Sequence, residues 1–242
     1  MSCIQRVLGV SRVLLPVIHP VGWEQAMHSV AIAHDAGVKG VFLIDQGMTA
    51  ERVLELVLAV RSRFPALWVG VNLLAYSPAK ALHCALDACD GRIDGIWSDN
   101  AGVDENSESQ TAAQRFLDAR RERGWTGLYF GGVAFKYQRA VRQEDLGKAA
   151  LSALPLVDVT CTSGPGTGKE ADVGKVVAMR TAIGVDGALA LASGVTVQNV
   201  ATYLPYVDAY LVGTGIEERF GVLDAQRVAA LQAVISRYSP GS

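Results

Sequence analysis

Short apolar runs rich in β-branched residues alternate along this chain with turn signals and with amphipathic stretches of helical period, and no long irregular segment breaks the order. The runs at Val13–Ile18, Gly40–Ile44, Trp68–Leu73, Gly95–Ser98, Leu128–Val133, Val157–Cys161, Ala188–Leu191 and Ala209–Val212 predict strands. Helices are predicted at Trp23–Asp35, Ala50–Arg63, Pro78–Ala88, Ser109–Arg123, Glu144–Leu154, Ala171–Ala182, Val197–Leu204 and Ala225–Arg237. Punctuation agrees with these limits. Ser77-Pro78 reads as an N-cap followed by the first helical residue, and Gly37, Gly91, Gly124 and Gly184 fall just past helix ends, where left-handed caps belong.

Strands that alternate with helices build a parallel sheet. The residues at or just beyond the ends of the predicted strands, His19, Asp45, Asn72, Asp99, Lys136, Thr162, Ser193 and Gly213, recur at intervals of 20 to 37, about one βα unit each. Eight such units predict a (βα)8 barrel, read as one domain over residues 1–242. A doubly wound open sheet is the alternative, but its first strand is usually followed by Gly-x-Gly-x-x-Gly, and here the chain reads "HPVGWE".

Composition narrows the partners. Half of the 242 residues are hydrophobic, enough for one large core, and the formal net charge of -2 with no long basic cluster argues against nucleic acid. The N-terminal segment shows neither the order of a secretory signal nor a membrane span, which predicts a soluble, cytoplasmic protein. Cys3, Cys84, Cys89 and Cys161 share no zinc-type spacing and read as free thiols. No cofactor or metal is predicted, and a homo-oligomer is compatible with the composition.

In a barrel of this kind the chemistry gathers where strands end. "ASGVT" and "VGTGIE", after the seventh and eighth strands, place Ser193, Gly194, Val195, Gly213, Thr214 and Gly215 where backbone N–H groups can converge on a phosphate. The bland alternative is a pair of tight turns. Lys136, between Phe135 and Tyr137, can serve as base, imine-forming nucleophile or phosphate clamp if desolvated, or can snorkel to solvent. Asp45 and Asp99 suit a base, a metal ligand or a turn cap. His19 suits acid–base work or a structural hydrogen bond, and the Asn72 amide can orient a substrate. The polar segment from Asp99 to Gln110 has the composition of a mobile loop.

"TSGPGTGKE" invites comparison with a nucleotide-binding P-loop. The pattern fails twice, because Ser163 stands where the first glycine belongs and Glu170 follows Lys169 in place of a magnesium-binding hydroxyl. The segment reads instead as the turn after the sixth strand. There Thr162, Ser163, Gly164, Gly166, Thr167, Gly168 and Lys169 form either a substrate-contacting lid or a rigid turn fixed by Pro165.

"VIHP", "GVNLL", the aromatic-lysine pair, "TSGPGTG", "ASGVT" and "VGTGIE" together resemble the BtpA family, which includes SgcQ-like proteins, over nearly the whole chain. The resemblance implies a barrel of the ribulose-phosphate-binding kind, with Ser193, Gly194, Gly213 and Thr214 at the phosphate and Lys136 as a site candidate. Where that family shows Val-Lys-His, this chain has Phe135-Lys136-Tyr137, so a mechanism that needs the histidine does not carry over. The family's best-known member is linked to photosystem I accumulation, and no settled reaction comes with the name. The leading expectation is an isomerase or a lyase of aldolase type acting on a phosphorylated sugar-like metabolite. The alternative is a non-catalytic phosphometabolite-binding or assembly factor.

Overall fold

Eight parallel strands close into a barrel in strict sequence order: β1 (Val13–Ile18), β2 (Gly40–Ile44), β3 (Trp68–Asn72), β4 (Gly95–Ser98), β5 (Leu128–Gly132), β6 (Val159–Ser163), β7 (Ala188–Ala192) and β8 (Ala209–Val212). Closure comes from β1 pairing with β8, with Val13 opposite Ala209 and Pro16 opposite Val212. Pro16 has no N–H to give, so the ladder around it forgoes one hydrogen bond. The computed structural model describes residues 2–239, so both ends of the predicted 1–242 span lie outside the described residues.

Helices α2 (Trp23–Asp35), α3 (Ala50–Arg63), α4 (Pro78–Ala88), α5 (Thr111–Glu122), α6 (Leu146–Ala153), α7 (Val173–Ile183), α8 (Val200–Tyr203) and α9 (Ala225–Arg237) follow the strands in turn. Ser77 caps α4 by accepting from the Lys80 N–H, and Gly37, Gly91, Gly124 and Gly184 all have positive φ, as their positions predicted. Two elements escape the periodic pattern. A short helix, α1 (Cys3–Leu8), inserts Ile4 and Leu8 into the apolar cluster inside the barrel, and a hairpin, β9 (Glu217–Arg219) with β10 (Val222–Leu223), follows β8.

The largest boundary correction among the strands is β6, which starts at Val159 and not at Val157, and runs through Ser163. Asp158 is held outside the strand because its carboxylate accepts from the Tyr129 N–H at 2.7 Å and pairs with Arg120 at 2.8 Å. Thr162 and Ser163, expected in the loop, therefore end the strand and are fully buried. The helix expected from Val197 shrinks to Val200–Tyr203, since Asn199 closes the preceding turn by accepting from the Thr196 N–H and donating to the Gly194 carbonyl.

The Asp158 arrangement recurs. Asp94, before β4, accepts from the Val69 N–H and pairs with Arg61, and Asp208, before β8, accepts from the Leu189 N–H and pairs with Arg180. Each device ties a helix to the entry of two neighbouring strands at the N-terminal end, the stability face of such barrels.

Inside the barrel the packing is lopsided. Phe42, Trp68, Trp97 and Phe130 fill the β2–β5 side with edge-to-face contacts, with ring centroids 5.2 to 6.1 Å apart. Room for them comes from strand glycines: a Cβ on Gly95 would lie 2.2 Å from the Trp68 ring, and one on Gly70 would lie 2.4 Å from Phe42. Small residues, Cys161, Ala188, Ala190 and Ala209, line the opposite side.

Candidate functional site

The mouth holds a cavity of about 490 Å³ whose wall includes His19, Asp45, Asp99 and Lys136 from four strand ends, and Thr167, Ser193, Gly213 and Thr214 from the last three loops. Trp97 and Leu211 lie among its apolar lining residues. Eight residues singled out from the sequence thus meet around one space although they span nearly two hundred positions of chain.

Lys136 bridges loops. Its Nζ donates to the Ser193 hydroxyl at 2.8 Å and to Thr167 Oγ1 at 3.4 Å, while its own N–H donates to Ser163 Oγ at 2.8 Å. Tyr137 reinforces the bridge: its hydroxyl accepts from the Thr167 N–H at 3.1 Å and donates to Thr167 Oγ1 at 3.3 Å. Ala134, Tyr137 and Ser193 have φ of 48°, 61° and 71°, so three of the four positive-φ non-glycine residues of the described chain lie on the loops after β5 and β7. Strain of this kind persists where surrounding contacts over-determine the backbone, and it concentrates at working sites.

Lys175 on α7 supplies part of that support. Its ammonium donates to the carbonyls of Ala134 and, at 2.8 Å, Ser163, and burial pulls its pKa down to about 8. No sequence signal marks it, because a lysine in a helix reads as a solvated one until the packing is known.

The acids divide into two environments. Asp99 Oδ1 accepts from Asn72 Nδ2 at 3.0 Å, and burial raises its pKa, with the Asn72 hydrogen bond and the Lys136 charge pulling partly back. Asp45 Oδ1 accepts from the Leu74 N–H at 2.7 Å, a turn contact, and burial raises its pKa as well. Asn72 itself is 1% exposed and sits beneath Asp99, where it orients the carboxylate.

His19 Nδ1 lies 2.7 Å from Glu217 Oε1, with both side chains buried. An ionised carboxylate only accepts, so Nδ1 carries the proton shared with Glu217, and Nε2 is the ring nitrogen left for other partners. Glu217 Oε1 also accepts from the Gly221 N–H at 3.2 Å across the β9–β10 hairpin, and Phe220 covers the imidazole with ring centroids 5.0 Å apart. Glu217 stands inside the "VGTGIE" motif, yet its partner is 198 residues away, which no local pattern can register.

The glycine loops pack tightly on one another. A Cβ on Gly194 (φ +71°) would lie 2.1 Å from the Lys169 carbonyl, and one on Gly215 would lie 2.0 Å from the Val195 carbonyl. Gly194, Val195 and Gly215 therefore form the wall behind the cavity, with Val195 wholly buried, while Ser193, Gly213 and Thr214 face it. Outside the strand ladders, the N–H groups of Gly194, Thr214 and Gly215 have no carbonyl partner among the described residues. Of the segment expected as the loop after β6, Thr167 lines the cavity, Thr162, Ser163, Gly164 and Gly166 are buried, and Gly168 and Lys169 are exposed, with Gly168 next to the Thr214 hydroxyl.

The polar segment after β4, expected as a mobile loop, is cross-tied. The buried Glu105 accepts from both terminal nitrogens of Arg139, Asn100 Nδ2 donates to Gln138 Oε1 at 3.1 Å, and Gln110 closes back on Asp104. Among the described residues no group of three or more His, Cys, Asp or Glu side chains is placed to hold a metal ion, and no helix is long and apolar enough to cross a membrane.

No protein-family model and no curated protein sequence matches the chain. Solved structures do. Phosphoribosyl anthranilate isomerase from Thermus thermophilus superposes with a TM-score of 0.63 at 14% identity, covering 92% of this chain and 96% of that one. The 3-keto-L-gulonate-6-phosphate decarboxylase from Vibrio cholerae gives 0.66 at 14% identity, covering 96% and 100%. N-(5'-phosphoribosyl)anthranilate isomerase from Pyrococcus furiosus gives 0.66 at 11% identity, covering 94% and 100%. At these identities the likeness is one of fold: this chain is an α/β protein built as a closed eight-stranded (βα)8 barrel.

Proposed function

We propose that this protein is a barrel enzyme that binds a phosphorylated small metabolite and moves a proton at a carbon next to a carbonyl, as an isomerase or a lyase of aldolase type. One observation carries the reading: Lys136, Ser193 and the Gly213–Thr214 turn line the same cavity as the desolvated Asp99 and His19, whose ring Glu217 holds. An anion site beside ionisable groups in an enclosed mouth is the arrangement proton transfer needs.

In this reading the phosphate docks against Ser193, Gly213 and Thr214, with Lys136 as the counter-charge, and Gly194, Val195 and Gly215 shape the wall behind. Docking fixes the rest of the metabolite over the barrel centre. Asp99, whose raised pKa brings it nearer neutrality, takes the proton from carbon, Asn72 holds its orientation, and His19 exchanges a proton with the carbonyl oxygen through Nε2 while Glu217 fixes the ring. Asp45 shapes the turn next to Leu74. The solved neighbours support the class, since their names are those of isomerases and a decarboxylase of phosphorylated compounds. The BtpA-like motifs fall at the same strand ends, and we read the chain as one cytoplasmic barrel domain of that kind.

Incubation of the pure protein with a cellular metabolite extract, followed by mass spectrometry, tests the reading. Reproducible conversion of a phosphorylated metabolite, lost in Asp99→Asn and Lys136→Ala, is the expected result. Binding without conversion would make the chain a non-catalytic metabolite-binding factor.

A further inference from the structure

Beside the main cavity lies a second lobe of about 380 Å³, between the loops after β3 and β4 and the start of α5. The two share Leu74 and Asp99 in their walls. Asp99 is the one ionisable residue common to both, so a ligand whose reacting carbon lies at Asp99 and whose phosphate lies at the Ser193 side can extend its other end into this lobe.

The lobe carries a free cation. Arg115, on α5, lines it and has no hydrogen-bond, ion-pair or ring partner among the described residues. Its situation contrasts with that of the arginines bound to carboxylates elsewhere, among them Arg61, Arg120, Arg139 and Arg180. Gln138 lines the lobe too, and its Oε1 is occupied by Asn100, which leaves its amide N–H groups as further donors. Set against these donors, Asp99 is the lobe's one acid. Gly102 is the single glycine of its lining, and the Gly102 N–H already donates to Asn100 Oδ1 at 2.8 Å, so the lobe has no paired glycine turns like those after β7 and β8. A planar guanidinium fork fits a planar carboxylate.

We propose that this lobe binds a carboxylate at the far end of the phosphorylated substrate, paired with Arg115, so that the substrate class is a phosphorylated acid and not a neutral phosphorylated sugar. The inference rests on the phosphate reading of the β7–β8 loops and adds to it a second anchor that sets specificity. Held at both ends, such a ligand presents its middle carbons to Asp99.

Calorimetric titration with chain-length-matched pairs tests it: phosphorylated sugar acids of three to six carbons against the corresponding phosphorylated polyols, with the matching bisphosphates as a third series. In at least one pair the acid is expected to bind about tenfold more tightly than the polyol. Arg115→Ala and Arg115→Gln should abolish that preference and leave polyol affinity unchanged, while Thr214→Ala should weaken both members alike. Arg115 is exposed, so its replacement leaves the core intact. If acid and polyol bind equally in every pair and both respond to Thr214→Ala, the second anchor is overturned and the phosphate reading stands. A preference that survives Arg115→Ala, or an Arg115-dependent preference for bisphosphates over acids, also overturns it. If no phosphorylated compound binds in a Thr214-dependent way, the phosphate reading fails and this inference falls with it.

Discussion

Lys136 on the loop after β5 donates through Nζ to the hydroxyl of Ser193 on the loop after β7, at 2.8 Å, across the top of β6. The contact joins an ionisable residue directly to the anion-facing loops. Lys136→Ala is expected to lower kcat/KM by about 100-fold, because it removes a positive charge from a partly enclosed site, and Ser193→Ala by about tenfold. Steady-state kinetics on the converted metabolite check this, and equal activity in Lys136→Ala would remove the lysine from the mechanism.

Asp99 exchanges stability for function. Burial raises its pKa in the folded state, so between the unfolded and folded values the native protein binds more protons, and stability falls as pH rises through that window. Asp99→Asn keeps the acceptor for Asn72 and removes the buried charge. It should abolish turnover yet raise the melting temperature at pH 7 by about 3 °C, corresponding to about 1 kcal/mol. The gain should vanish at a pH where the carboxyl is protonated in both states, and a lower melting temperature at pH 7 would contradict this account.

Glu217 acts through His19. Glu217→Gln removes the charge that holds the ring proton on Nδ1, and kcat is expected to fall by about 100-fold while KM, set by the phosphate loops, changes little. A rise in KM with kcat intact would instead give the pair a binding role.

Lys175 titrates against stability in the opposite sense to Asp99. Its pKa falls from 10.5 to about 8 on folding, so between those values the unfolded chain binds more protons and stability rises with pH. Urea unfolding at pH 7.5 and pH 10 should show the wild type gaining on Lys175→Met across this range. An unchanged difference between the two proteins would show that the ammonium is not buried.

Gly194→Ala places a methyl group 2.1 Å from the Lys169 carbonyl at a φ of +71°, where an alanine is strained in any case. A destabilisation of about 2 kcal/mol is expected, with weaker phosphate binding as the loop after β6 shifts outward. Melting temperature and phosphate titration would reveal it.

The periodic pattern was enough for the barrel. Strand runs such as Gly40–Ile44 and Gly95–Ser98 match to the residue, because a strand buried on both faces and bounded by turn signals leaves little freedom of register. The strand ends then named His19, Asp99, Lys136 and Ser193 by position alone, since barrel topology delivers every such end to one face. What sequence could not decide was decided by contacts between distant segments. Asp158 moved the start of β6, Glu217 met His19, Lys175 turned inward beneath the loop after β5, and Arg139 tied down the polar segment after β4. Each depends on side chains brought together by closure of the barrel, a distance no local window spans, and the same closure leaves Arg115 without a partner in the second lobe.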